Sequence, residues 1–432
     1  MNRPSSMAAI AACVLAVGGP VAARAEMMAP KVEQPVTISF YNYNLAYAGL
    51  GAEATRGLIA EFMAANPDIK VEGVAVPANQ INQRVQADIA VGRRPDLAQL
   101  GFGDLDFNVH QFGIKALDDI TPAEEIKAHT DGMVPAGLEL GRMDGKMYGL
   151  AYTFSTPVLF YNATLFREAG LDPDKPPRNF DEVRAAAQAI KDRAGKQGFF
   201  PTIFDYDWML QGLILSNGGR TLSEDRKRLT FAEPAAVEVL QMMHDFAKSG
   251  LLPNIREAES QDVMVSGNLG MFLTTSAYQR FLVNGAKDKW ELRAAEMPAF
   301  GDKPTHPTNS GSALFILSDD PVKQRAAWEL MKFLTSKHGY TIITSKIGYL
   351  PLRPEIVDDP AYLADWVKEN PLIRPNLAQL ARLSPWQSFP GPSYTQIRKA
   401  YLTAVSEAVY GEGDPAIVLR EAQARASAWM PR

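Results

Sequence analysis

The chain of 432 residues carries 44 lysines and arginines against 49 aspartates and glutamates, a formal net charge of −5 at pH 7. This acidic balance, with no cluster of basic residues, excludes nucleic acid and anionic membrane surfaces as expected partners. Single hydrophobic cores stop growing near about 250–300 residues, so a chain of this length is expected to fold as two lobes.

The first residues have the pattern of an export signal. Arg3 supplies a basic start, residues 7–17 are apolar, and a small-x-small cleavage site ends at Ala25. We expect residues 1–25 to be removed as a signal peptide, which would place the mature protein in the periplasm. Lipoprotein processing at Cys13 is the alternative. Cleavage after Ala25 would remove the only cysteine, and with it any disulfide, thiol chemistry or cysteine-ligated metal.

Strand patterns alternate with helix patterns from residue 36 onward. Strands are predicted at residues 36–40, 69–76 and 97–100, and helices at residues 52–65 and 81–91. Gly101-Phe102-Gly103, which follows the third strand, lacks the third glycine of a dinucleotide-binding loop and is expected to be a turn. Such alternation predicts an α/β fold, with a mostly parallel sheet flanked by helices in each lobe and ligands at the carboxyl ends of the strands.

The stretch from residue 155 to residue 183 gives the clearest local signals. Asn162 follows an apolar strand and is an N-cap for a short helix that Gly170 ends. Asn179 is predicted to cap the next helix, with Glu182 as its capping-box partner. Further helices are predicted near residues 207, 234 and 276, at 322–335 and in the tail, and strands at 269–273 and 310–317.

The order of these features identifies a family resemblance. The Ser155-Thr156-Pro157-Val158 strand start, the Tyr161-Asn162 cap, the Ala-Gly-Leu-Asp-Pro turn at 169–173 and the segment at 348–351 resemble the extracellular solute-binding proteins of carbohydrate-type ABC importers. Within that family the chain is most similar to the glycerol-3-phosphate binders. The resemblance covers nearly the whole mature chain, and it implies a two-lobed periplasmic-binding-protein fold of the maltose-binding type, joined by a hinge. It implies discontinuous lobes: residues 36–152 with 300–348, and residues 153–299 with 349–432.

The same resemblance implies an anion site. In the glycerol-3-phosphate binders the phosphate is held by residues that match Ser155, Gly311, Tyr349 and Arg398 here, which supply a hydroxyl, a backbone N–H, a phenol and a guanidinium. Ser276 aligns loosely with a further serine of the family. Taken singly, each residue also has a structural explanation, such as a turn cap, relief of backbone crowding, core packing or a solvated helix face.

The chain departs from the family pattern on the polyol side. Where the family has a glutamate after the third strand, this chain has Phe102 and, as the nearest carboxylate, Asp104. Of the family's tryptophan pair, Trp208 matches one member and Asp205 stands where the other would be. These changes predict a related but different ligand, such as a glycerophosphodiester, a sugar phosphate or a sulfosugar derivative. A neutral sugar is the alternative.

Three further residues are predicted to line the cleft from their position alone. Tyr43 and Asn44 follow the first strand, and Trp386 precedes the segment that carries Arg398. Tyr43 or Trp386 would stack on the ligand. Ordinary packing at a strand end or in a loop is the alternative for each of them.

Motifs of catalysis are not found in the sequence. The histidines include no pair at zinc-ligand spacing, and no nucleophile elbow or P-loop is present. We therefore predict a monomeric binding protein without cofactor, metal or catalytic residues, which delivers its ligand to two permease subunits and their ATPase. The alternatives are a secreted hydrolase of phosphodiesters or glycans, with Asp104, Asp205 or Asp207 as its acids, and a sensor that reports the ligand to a membrane partner.

Overall fold

The computed structural model describes residues 27–46 and 48–431, so the predicted signal peptide lies outside the described residues. The strands are β1 (Val36–Asn42), β2 (Ile69–Ala75), β3 (Leu97–Gly101), β4 (Arg142–Met143), β5 (Lys146–Met147), β6 (Gly149–Ser155), β7 (Pro157–Asn162), β8 (Gln197–Pro201), β9 (Leu269–Thr275), β10 (Leu292–Ala295) and β11 (Ser310–Ile316).

Helices follow most of the strands and cover both faces of the sheets. They are α1 (Leu50–Ala65), α2 (Ile81–Ala90), α3 (Leu105–Phe112), α4 (Leu117–Ile120), α5 (Ala123–Thr130), α6 (Pro135–Leu138), α7 (Ala163–Glu168), α8 (Phe180–Ala189), α9 (Trp208–Ser216), α10 (Pro234–Lys248), α11 (Glu257–Val265), α12 (Gln279–Ala286), α13 (Pro321–Leu334), α14 (Lys337–Ile342), α15 (Ala364–Glu369), α16 (Arg374–Gln379), α17 (Tyr394–Tyr410) and α18 (Pro415–Ser427). Within the described ranges, none of these helices combines the length and apolar character needed to cross a membrane.

The strands form two mixed sheets. The first has the order β2-β1-β3-β11-β6, in which β1 pairs in parallel with β2 and β3, whereas β11 is antiparallel to β3 and β6. The second has the order β10-β7-β9-β8, and only β8 and β9 are parallel. The expectation of mostly parallel sheets is therefore wrong. We call each of these two sheets, with the helices packed on it, a unit: the first contains β1 and the second contains β9. A strand that enters from the other unit, as β7 and β11 do, is not constrained by the helical crossover that makes sequential strands parallel.

The predicted helix caps are confirmed at α7 and α8. The side chain of Asn162 accepts a hydrogen bond from the N–H of Leu165 at 3.0 Å, and that of Asn179 accepts one from the N–H of Glu182 at 2.9 Å. The capping box is displaced by one residue, because the Glu182 carboxylate accepts from the N–H of Arg178 at 2.7 Å instead of that of Asn179. Both caps satisfy helix N–H groups that have no partner within the helix.

Each sheet has its own packing layer. In the first unit Phe40 of β1 and Phe315 of β11 are fully buried, as is Trp328 of α13. In the second unit Phe199 of β8 packs on Phe246 of α10 with ring centroids 5.5 Å apart, and α17 packs in turn on α10. Helix α17 therefore belongs to the side of the second sheet.

Two of the connections between the sheets run beside the start of β11. β6 leads into β7 through the single residue Thr156, and Ser310 at the start of β11 pairs with Ser155. The N–H of Leu350, on the way back to the second unit, donates to the carbonyl of Phe154 at 2.9 Å. The passages between the units therefore lie together, which is the arrangement of a hinge.

Gly311 occupies a position in β11 that only glycine fits. Its φ is 111°, and the pairing of β11 with β6 shifts register at the next residue. A Cβ atom at this position would lie 2.1 Å from the carbonyl oxygen of Thr153. Both the backbone conformation and the close approach of β6 therefore require the missing side chain.

We expect Gly311→Ala to lower the free energy of unfolding by at least about 2 kcal/mol, because the variant adds a backbone clash to an unfavourable φ. Urea unfolding measures the change. Gly301→Ala is the matched control, since Gly301 has a φ of 58° with no atom within 4 Å of the added Cβ, and its loss should stay near about 1 kcal/mol. Equal losses in both variants would show that the contact with Thr153 does not set the requirement.

Candidate functional site

A cavity of ≈ 620 Å³ opens between the first sheet and helix α17. The first unit contributes the end of β1, the start of α2, the turn between β3 and α3, and the start of β11, while the second contributes the start of α17 and the loop before α9. Its volume is typical of a small-molecule site. The polar and aromatic residues of the lining are Tyr43, Asn79, Asn82, Gln83, Gln86, Asp104, Phe107, Tyr206, Ser310, Tyr349, Trp386, Tyr394, Thr395 and Arg398, with glycines 101, 103 and 311.

The cavity brings together half of the residues that were predicted to bind ligand. These are Tyr43, Asp104, Gly311, Tyr349, Trp386 and Arg398. They are separated by up to 355 positions in the chain. Their convergence follows from the hinge and from the packing of α17, which place the carboxyl ends of β1 and β3 opposite Arg398.

Arg398 is the main cation of the lining, and two carboxylates compensate it. Its Nη1 lies 3.2 Å from Asp104 Oδ1 and its Nε lies 3.4 Å from Asp207 Oδ1, while the guanidinium also donates to the carbonyl of Gly103. Burial alone would lower the pKa of Arg398, but the charges of Asp207 and Asp104 outweigh burial and raise that pKa. The guanidinium is therefore charged and, in this structure, already paired.

Asp104 and Asp207 lie in different surroundings. The Asp104 side chain is 24% exposed and faces the cavity, whereas Asp207 is fully buried behind Arg398. Burial raises the pKa of Asp207, and the charge of Arg398 and a 2.7 Å hydrogen bond from Gln211 act in the opposite direction. Only Asp104 is therefore in a position to contact a ligand directly.

Aromatic rings surround the guanidinium. Its central carbon lies 5.3 Å from the ring centroid of Trp386 and 5.2 Å from that of Tyr394, and Phe107 packs on Tyr394 at 5.1 Å. The Trp386 ring lies against the backbone of Gly103, where a Cβ atom would come within 2.3 Å of it. The glycine of the predicted turn thus makes room for the tryptophan, and the rings hold Arg398 in place.

The phenols of Tyr43 and Tyr349 contribute neutral hydroxyl groups to the cavity. The Tyr43 hydroxyl is 3.0 Å from Ser312 Oγ and 2.9 Å from Thr153 Oγ1, and Gln99 donates to both of these at 2.9 Å. Burial raises the pKa of Tyr43 and, more strongly, that of Tyr349. Both phenols are therefore neutral at pH 7 and present hydrogen-bonding groups without charge.

Amide side chains of α2 and of the turn before it form the remaining wall, which the sequence interpretation missed. Asn79, Asn82, Gln83 and Gln86 all line the cavity, and Asn82 donates to Asp104 Oδ2 at 2.9 Å. The signal was available within α2, because Gln86 follows Asn82 by four positions and Gln83 by three, which places these three amides on one helix face. A stripe of amides is a suitable surface for ligand hydroxyl groups.

Two predicted serines lie at the hinge, outside the cavity lining. Ser155 is buried at the end of β6, where its hydroxyl accepts from Thr275 Oγ1 at 2.7 Å. The hydroxyl of Ser276 is also buried and accepts from the N–H of Thr156 at 3.3 Å. In this structure the Ser155 hydroxyl bonds to the end of β9, and the Ser276 hydroxyl bonds to the connection between the sheets at Thr156.

The other predicted residues outside the lining are Asn44, Phe102, Trp208 and Asp205. The side chains of the first three are buried. Asn44 and Phe102 come shortly after β1 and β3, and Trp208 begins α9, so the direction of each side chain is fixed by the strand or helix beside it. Asp205 is exposed, and its N–H donates to Glu257 at 3.2 Å. Tyr206, one position later and 53% exposed, is the residue of this loop that reaches the cavity.

The three aspartates considered for a hydrolase do not form a pair of free carboxylates. Asp104 and Asp207 are both paired with Arg398, and Asp205 lies outside the lining. The described part of the chain contains no group of three or more residues suited to hold a metal ion.

Glu257 holds the loop that carries Tyr206. Its carboxylate accepts from the N–H of Phe204 at 2.6 Å and from that of Asp205 at 3.2 Å. Burial raises the pKa of Glu257 to about 7, with the two backbone hydrogen bonds acting in the opposite direction and the charge of Asp205 adding to the rise. The carboxylate therefore titrates near neutrality in the folded protein.

Comparisons with known proteins place the chain among binding proteins. Residues 57–375 match the family model of the bacterial extracellular solute-binding proteins. A Brucella abortus protein named as a binding protein is 27% identical over 379 residues, which cover 85% of this chain and 87% of the relative. The sn-glycerol-3-phosphate-binding periplasmic protein UgpB of Brucella melitensis is 27% identical over 263 residues, 57% of this chain and 58% of the relative.

Solved structures show the same fold. The cyclic α-maltosyl-1,6-maltose binding protein of Arthrobacter globiformis superposes with a TM-score of 0.80 at 23% identity, covering 91% of this chain and 98% of that protein. UgpB of Mycobacterium tuberculosis, in complex with glycerophosphocholine, gives 0.76 at 20% identity, with coverage of 91% and 98%. The fold is therefore the two-lobed, maltose-binding-like fold that the sequence predicts.

We expect Glu257→Gln to raise the melting temperature at pH 8 and to change it little at pH 5. The folded pKa of about 7 lies above the ordinary glutamate value of 4.5, so ionisation costs stability as the pH rises between these values, and glutamine avoids that cost. Thermal melts from pH 4 to pH 9 measure the difference. Glu259→Gln is the control, because that exposed carboxylate pairs with Arg256 and its pKa is lowered. A difference for Glu257→Gln that stays flat with pH would contradict the expectation.

Proposed function

This chain belongs to the bacterial extracellular solute-binding protein family, and we propose that its ligand is a small uncharged sugar or polyol. The coarser role follows from the family: the protein is the substrate-binding component of a sugar-type ABC importer and acts outside the cytoplasmic membrane. Cleavage of residues 1–25, a monomeric state, and docking on two permease subunits with their ATPase remain predictions.

The charge balance around Arg398 carries the proposal. Asp104 and Asp207 lie 3.2 Å and 3.4 Å from the guanidinium, so the cluster has more negative than positive charge when both are ionised. An incoming phosphate would have to displace Asp104 and would still meet Asp207 behind the arginine. A neutral ligand meets no such repulsion, and the paired groups offer it one charged donor and one charged acceptor.

The rest of the lining also suits a sugar. Trp386, Tyr394 and Tyr206 present aromatic surface, on which the apolar face of a sugar ring stacks. The amides of α2 and the neutral phenols of Tyr43 and Tyr349 provide donors and acceptors for hydroxyl groups. Recognition of a polyol requires uncharged polar groups next to aromatic rings, and this lining provides both.

A phosphate-bearing ligand is the second candidate, and one observation favours it. Gly311, Tyr349 and Arg398, three of the four residues that match the phosphate site of glycerol-3-phosphate binders, line one cavity. Among the relatives, several are named sn-glycerol-3-phosphate-binding proteins. A sulfonate would use the same groups. Either anion would need Arg398 to exchange Asp104 for the ligand.

Ligand capture is proposed to occur by closure of the lobes about the hinge at Thr156 and Leu350. The lobes are proposed to be residues 36–152 with 300–348, and residues 153–299 with 349–432. A contact outside the cavity already joins the two sides, where Arg226 Nη2 lies 2.6 Å from Asp106 Oδ2. A ligand that touches both sides would shift the population toward the closed form.

The charge of Asp104 discriminates between the two candidates. Calorimetric titration of the mature chain with maltose, glycerophosphocholine and sn-glycerol-3-phosphate is expected to show binding of the neutral sugar and not of the phosphate monoester. Asp104→Asn should weaken binding of the neutral ligand by about 10-fold to 100-fold, because a charged acceptor for its hydroxyl groups is lost. If the ligand is the phosphate, the same variant should strengthen binding, because Arg398 becomes available.

Asp205→Asn is the matched control, since this carboxylate lies nearby but outside the lining. Its titrations should equal those of the wild type. Tight binding of sn-glycerol-3-phosphate by the wild type, increased by Asp104→Asn, would overturn the neutral ligand in favour of the second candidate.

A further inference from the structure

Asp207 is a buried charge with no direct access to the cavity. It precedes α9, has no exposed surface, and is not among the residues that line the cavity, whereas its partner Arg398 is. Its Oδ1 is 3.4 Å from Arg398 Nε, and neither of these two atoms has a hydrogen-bond partner among the described residues. A buried carboxylate costs free energy unless it is paired, so its position behind the arginine needs an explanation.

Gln211 fixes the orientation of this carboxylate. Its amide nitrogen donates to Asp207 Oδ2 at 2.7 Å and to the carbonyl of Gln387 at 3.0 Å, and its oxygen accepts from the N–H of Gln387 at 3.0 Å. The second contact joins α9 to the segment that carries Trp386. Asp207 is therefore held against the same structure that stacks on Arg398, and the ligand has no path by which to displace it.

The two carboxylates on Arg398 differ in what a ligand does to them. Asp104 lies in the lining and belongs to the first unit, so an anion entering the cavity displaces it by competing for Arg398 Nη1. Asp207 belongs to the second unit together with Arg398 and keeps its place. After such an exchange the Asp207 carboxylate would still compensate the positive charge of Arg398, so the anion would gain little net electrostatic attraction.

We propose that Asp207 is a specificity-determining residue, which excludes anionic ligands from the cavity by keeping the charge of Arg398 permanently compensated. This inference rests on the proposed neutral ligand and names the residue that enforces it. Arg398 then acts as a directional hydrogen-bond donor for a ligand hydroxyl group instead of as an anion site.

The test is titration of the mature Asp207→Asn variant with sn-glycerol-3-phosphate and with inorganic phosphate. The wild type is expected to bind neither ligand in the micromolar range. The variant is expected to bind the phosphate monoester at least about tenfold more tightly than the wild type, because one of the two negative charges that compensate Arg398 is gone. The double variant Asp104→Asn with Asp207→Asn should gain further. Asp207→Glu, which keeps the charge, should exclude phosphate as the wild type does.

Thermal melts establish that each variant is folded, and Asp207→Ser serves as a second charge-removing variant if the asparagine variant unfolds. Asp205→Asn, which removes an exposed carboxylate two positions earlier, should leave phosphate binding unchanged. Phosphate affinity that is equal in the wild type, Asp207→Asn and Asp207→Ser would overturn the role of Asp207 and leave the neutral ligand standing. Tight phosphate binding by the wild type itself would overturn the proposed function.

Discussion

The ligand cavity is organised around one buried cation that must be compensated. The side chain of Arg398 is 14% exposed and rests between the rings of Trp386 and Tyr394, so its charge is costly without partners. Asp104 supplies a partner from the first unit and Asp207 one from the second. These two ion pairs therefore stabilise the arginine and join the two units, and under the proposed function they also set which charge a ligand carries.

Under the proposed function, that pairing would connect ligand choice to lobe movement. Asp104 follows β3, whereas Arg398 lies on α17, which packs on the side of the second sheet. A ligand that bonds to both groups replaces or extends a contact that already crosses the cleft. The passage through Thr156 and the one at Leu350 lie beside each other, which is where the proposed closure would bend the chain.

Local sequence signals predicted local structure well. The structure confirms the caps at Asn162 and Asn179, the strand β7 and the turn after β3. Each of these features depends mainly on residues that are neighbours in the chain. Strand direction was predicted wrongly, because β7 and β11 acquire their partners from distant segments. The amide face of α2 was overlooked, although its helical spacing was visible in the sequence.

The sequence alone determined the family and the fold, because the order of short motifs along the chain is enough to specify these. It also named Gly311, Tyr349 and Arg398 as one site through the family resemblance, and these three do line one cavity. Only the tertiary structure decided the electrostatics of the site. Asp104, Asp207 and Arg398 are up to 294 positions apart in the chain, and no periodicity or motif encodes which of them share a charge. Their separation in space, and hence the interaction energy between them, exists only once the two sheets and α17 have packed together.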